Sequence, residues 1–172
     1  NTTIIIDVEL LAIMDAFENI TDAINHATQL NDEAAIKFRA GDLDSALNLY
    51  EKAYGDIEDY FDDEANAISI RTQRNLSLLY AKKGKWRMSL NCANNVLEKS
   101  KDDLKALMRK IEALIQLDSL EDARKDLNHA LVVSKNDKAF VALRGKLEEA
   151  EKAARLRQNA QYAKMFEKST KK

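Results

Sequence analysis

Lys105 and Arg109 stand four residues apart in the segment KALMRK, a spacing that places both on one face of a helix, a turn apart. A mobile ammonium beside a planar guanidinium fork is a donor set suited to a carboxylate. Asn75, upstream in RNLSLL, adds an amide that can hold a peptide backbone. Such a set binds an acidic group rather than transforming it. The competing reading is a solvated helix face, and only the direction in which the fold turns these positions separates the two.

Little else in the chain suggests chemistry. There is no Ser/His/Asp set, no glycine-rich phosphate loop and no carboxylate pair of the kind that works in a cleft, so this chain is not expected to catalyse a reaction. His26 and His129 lack a cysteine or carboxylate at ligand spacing, so neither a metal nor a cofactor is expected. The single Cys92 excludes an internal disulfide and reads as a small buried hydrophobe. A net charge of −2 with 33% charged residues favours neither nucleic acid nor a membrane as partner. The chain opens on Asn1 rather than Met, which suggests a piece of something longer.

The elements that position these residues come from a repeat. AKKGKWRMSLNCANNVL and LIQLDSLEDARKDLNHAL fall into one phase at an offset of 34 residues. Gly84 then aligns with Asp118, Trp86 with Leu120, Ser89 with Ala123, Ala93 with Leu127 and Val96 with Ala130. RAGDLDSALNLYEKAY fits the same template, with Gly41, Leu43, Ala46, Tyr50 and Ala53 in those slots. The period and its small residues are the signature of the tetratricopeptide helix–turn–helix repeat. The step from Gly41 to Gly84 is longer, 43 residues, so about nine residues near GDIEDYFDD lengthen the first connection. With no proline and four glycines in 172 residues, an almost wholly helical chain follows.

The expected architecture is all-α: three repeats over 22–136 forming a right-handed superhelix, then a capping helix over 137–172. Helices are expected near 22–40, 42–58, 64–83, 85–98, 102–116 and 119–133, with a last one from about Asp137. Gly41 and Gly84 serve as left-handed stops, Asp42 as an N-cap, and Asp62, Asp63 and Glu64 favour the positive end of the third helix. Residues 2–13, TTIIIDVELLAI, alternate in part and read as a strand without a partner. In a stacked solenoid the first helix of each pair lines a concave groove, and Lys105, Arg109 and Asn75 fall on that lining.

With these passages in hand, residues 20–170 resemble the tetratricopeptide domain of the large FKBP-type immunophilins, cochaperones of heat-shock protein 90. NTTIIIDVELLAI resembles the last strand of an FKBP isomerase domain. FRAGDLDSALNLYEKA, NLSLLYAKKGKW and KALMRKIEALIQLDSLEDARKDLNHAL resemble the three repeats, and YAKMF the motif closing the last helix. The resemblance implies a cytoplasmic or nuclear cochaperone module whose carboxylate clamp grips the C-terminal Met-Glu-Glu-Val-Asp of the chaperone. It implies a prolyl isomerase domain upstream, of which 1–13 would be the remnant. Asn75, Lys105 and Arg109 match three clamp positions, whereas Asn31 replaces a lysine and Ala35 a variable asparagine.

A weakened clamp is therefore expected, in which Asn31 offers one neutral bond. Lys37 either substitutes for the missing lysine or fills the repeat's aromatic slot with its stem, and Phe38 and Tyr80 shape the groove wall. The rival readings are a groove that takes another peptide or none, and a scaffold or self-association domain. The tail from Glu151 carries seven Lys/Arg against two Glu. It reads either as a calmodulin or acidic-partner site or as a cap whose Leu156, Tyr162, Met165 and Phe166 dock on the third repeat.

Overall fold

A computed structural model describes residues 19–169, with side chains to 165. The expected strand over 2–13 and the side chain of Phe166 lie outside the described residues. Within them the chain forms seven helices and no strand: α1 (Ile20–Arg39), α2 (Leu43–Gly55), α3 (Asp63–Lys82), α4 (Trp86–Lys99), α5 (Leu104–Gln116), α6 (Leu120–Val133) and α7 (Lys138–Ser169).

Short side chains start these helices, Asp42 among them as expected from the sequence. Asn19, Asp42 and Asp103 accept the backbone N–H groups of Asp22, Ser45 and Ala106 at 2.9, 3.1 and 2.9 Å, supplying partners to donors that a first helical turn leaves open. Asp62 accepts from the N–H of Glu64 and of Ala65. The Ser45 hydroxyl and N–H hold the Asp42 carboxyl below its usual range, with Lys37 adding to the effect. A depressed carboxylate favours the folded form above its unfolded pKa, so this cap is lost only as pH falls through the lower, folded value.

The stops repeat as well. Gly41, Gly84 and Asp118 occupy one slot of the template and have φ of +83°, +70° and +61°. Each leaves α1, α3 and α5 in the left-handed conformation that reverses the chain. Asp118 manages without glycine because a short polar side chain tolerates this region better than most.

The described chain comprises two compact units, divided after Leu76. In the first, α1 packs on α2 around Ala27, Leu30, Ala53 and Ile57, with Leu49 and Ile68 against them. In the second, α4, α5, α6 and α7 pack in succession. Leu107, Ile111, Leu114, Leu127, Leu131, Phe140, Leu143 and Leu147 form its core. Phe140, Leu143 and Leu147 make a stripe along α7 at helical spacing, which covers the third repeat as a cap should.

The cap differs from expectation further on. Leu156, Tyr162 and Met165 are not docked; they are 62%, 51% and 66% exposed. From Glu151 to Met165 the helix turns no apolar stripe inward, and ion pairs take over, Arg157 with Asp118 and Arg124 with Glu151.

A Cβ built at Gly84 or at Gly145 meets no atom within 4 Å, so backbone conformation alone decides the effect of alanine there. Gly84→Ala should cost about 1 kcal/mol for its left-handed φ. Gly145→Ala, in the interior of α7, should add about 0.5–1 kcal/mol. Urea midpoints of opposite shift would bear this out; shifts of one sign would not.

Candidate peptide-binding site

The second unit encloses a cavity of about 600 Å³ between the last turns of α3, the middle of α5 and the first half of α7. Leu78, Trp86, Ile115 and Leu143 give it an apolar floor, and Lys82, Arg109, Glu112, Lys146 and Glu149 charge its walls. Its size suits a small ligand or a few residues of a peptide.

Asp103 caps α5 and so fixes where its first turn begins. Leu107, Ile111 and Leu114 bury the opposite face of that helix, and Ala106 and Ala113 its flank. The consequence is that Lys105 is exposed at the open end of α5, and Arg109, a turn later, is half-buried and lines the cavity. The two cations thus share a face, as their spacing requires.

Arg109 is already engaged. Its Nη1 donates to Glu112 Oε2 at 2.5 Å, both side chains being 26% exposed. The sequence reading missed this pairing, although Glu112 stands at i+3 from Arg109, a spacing at which helical side chains meet. The neighbouring Lys110 turns the other way and holds α5 to α6 through Asp126 at 3.0 Å.

The remaining candidates lie on other helices. Asn75 is half-buried on α3 and belongs to the first unit. Tyr80 is buried in the second unit at 5% exposure, with the Lys85 ammonium 5.9 Å from its ring centre. Lys37 and Phe38 are half-buried at the end of α1, and their carbonyls accept from Asp42 and Gly41 in the turn.

Asn31 requires a correction. It is wholly buried, and its Nδ2 donates to the Ala27 carbonyl at 2.9 Å and to the Thr72 hydroxyl at 2.8 Å. Both amide hydrogens are spent, one on a preceding carbonyl of α1 and one on joining α1 to α3, so no neutral bond is left for a ligand. An uncharged amide can be buried there because its donors are satisfied, which a lysine ammonium could not match at that depth.

His26 pairs with Asp56 at 2.7 Å and His129 with Asp102 at 3.0 Å. Cys92 is buried and in no disulfide.

Comparison with known proteins places this geometry. No family model matches the chain. It is 24% identical over 156 residues to the human peptidyl-prolyl cis-trans isomerase FKBP4, covering 87% of this chain and 34% of that protein. Among solved structures, the C-terminal tetratricopeptide-containing domain of a putative FK506-binding protein from Plasmodium falciparum superposes with a TM-score of 0.70 at 21% identity. That match covers 80% of this chain and 93% of the other. The myosin chaperone UNC-45 from C. elegans, solved in complex with an Hsp90 peptide, matches with a TM-score of 0.64 at 28% identity, covering 73% of this chain and 14% of that one. The chain spans about a third or less of the length of the curated relatives it matches. It is thus an all-α tetratricopeptide-repeat domain, similar to those of FKBP-type immunophilins and of UNC-45.

If Asn31 serves the fold alone, Asn31→Ala should lower stability by about 1–2 kcal/mol through its lost hydrogen bonds. Affinity for an acidic peptide should stay within about twofold. Loss of affinity in a protein of unchanged stability would return Asn31 to the binding site.

Proposed function

We propose that this domain is a cochaperone module receiving the acidic C-terminal tail of heat-shock protein 90, with Lys105 and Arg109 as its principal carboxylate ligands. One observation carries the reading: two cations one turn apart on α5, the second lining a cavity with an apolar floor. Lys105 offers a point charge in solvent, and Arg109 a fork beside a surface able to take an apolar peptide side chain. The likeness to UNC-45, whose structure holds an Hsp90 peptide, supports this choice of ligand. Asn75 enters as a backbone-holding amide on the strength of the family resemblance alone. Prolyl isomerase activity would reside in a separate domain of the parent protein, as the similarity to FKBP4 suggests.

The burial of Asn31 favours a second reading, a site that has given up this tail for another peptide. A hydrogen bond to a charged group contributes about 1.5–3 kcal/mol, so one missing lysine weakens a micromolar complex by roughly ten- to a hundredfold. Residual affinity in the range of tens to hundreds of micromolar is then the expectation.

Calorimetric titration with acetylated Met-Glu-Glu-Val-Asp should show saturable binding, abolished when the peptide ends in an amide. Lys105→Ala and Arg109→Ala should each weaken it at least about tenfold. Binding indifferent to both substitutions and to the amide would exclude these residues as the receptor.

A further inference from the structure

We infer that Glu112 is a built-in competitor for the ligand carboxylate, occupying Arg109 in the empty domain and setting the affinity of the site. This rests on the peptide reading above and adds a specificity determinant to it. The contact is made through Nη1, at the tip of the guanidinium. A carboxylate on Nη1 takes one of the two nitrogens that an end-on ligand fork would use. Arg109 offers five N–H donors in a fork matched to one carboxylate at a time along each edge. With Glu112 on Nη1, a peptide carboxylate takes the end-on Nη1/Nη2 fork only by displacing it, and otherwise is confined to the Nε/Nη2 edge.

Glu112 also lines the same cavity as Arg109. Its negative charge therefore stands within the volume an acidic ligand would fill, and like charges at that range repel. The two effects act in one direction, against binding. The pair lies within one helix at i, i+3, so surrendering it unpacks nothing, and the competition is reversible at low cost.

Removing the charge while keeping the shape tests the idea. Glu112→Gln should bind the free-acid peptide about three- to tenfold more tightly than the unaltered domain. The gain should shrink with added salt and vanish in an Arg109→Ala background. Glu148→Gln, the same charge change on α7 beside the cavity-lining Glu149, is the control and should give less than about a twofold gain.

If the unaltered domain binds and Glu112→Gln binds equally or more weakly, the competitor role is overturned and Glu112 is an orienting residue, with the peptide reading intact. A gain of equal size from Glu148→Gln, or one that persists without Arg109, overturns it in favour of a general charge effect. If neither the unaltered domain nor Glu112→Gln saturates by about 1 mM peptide, the peptide reading fails and this role fails with it.

Discussion

Two helices can bury a common core only if their axes come close, and in this domain that approach rests on one slot of the repeat. Ala46, Ser89 and Ala123 fill it, and all three are wholly buried. Nothing larger fits at the usual 8–10 Å separation of packed helices without pushing the pair apart, at a cost of about 1–3 kcal/mol. Serine is admitted because its hydroxyl donates to the Ser77 carbonyl at 2.8 Å, which removes the penalty for burying an unpaired polar group. In the second unit this slot seats α4 and α6, and with them the inward face of α5. The outward face of α5, with Lys105 and Arg109, is positioned as a result.

The polar contacts divide by what they hold. Lys110–Asp126 ties α5 to α6, and the Asn31–Thr72 pair ties α1 to α3 inside the first unit. Breaking the second leaves buried donors unmet, which costs about 1–3 kcal/mol for each orphaned group. Arg109–Glu112 holds only neighbouring turns of one helix, a class of pair that contributes about 0.3–0.5 kcal/mol. The contact that the proposed ligand would displace thus joins no two helices.

The helices were legible in the sequence because their signals are local. A capping aspartate, a left-handed stop and a small residue at a fixed offset each act within a few residues of the chain, so Gly84 and Asp118 could be matched before any coordinates. The i, i+4 face of Lys105 and Arg109 was legible for the same reason. Asn31 was misjudged because its partner Thr72 lies on another helix, and a buried amide pair leaves no periodic trace. Glu112 is different: its spacing from Arg109 is visible in the sequence, but spacing alone does not say which rotamer the arginine adopts.

The far end of α7 shows what sustains a helix without a core. Its buried stripe ends at Leu147, yet the helix continues through ARLRQNAQYAKM, a run dominated by alanine, arginine, glutamine, leucine, methionine and lysine. These side chains lose little freedom in a helix, and elongation from an existing helix avoids the cost of nucleation. Phe140, Leu143 and Leu147 supply that nucleus by docking on the third repeat. Arg157 then meets Asp118, the left-handed stop of α5, and Arg124 of α6 meets Glu151. Leu156, Tyr162 and Met165 of this extension stay exposed. Length beyond the core is here a product of propensity and nucleation, and amphipathic residues in such a run are not evidence of packing.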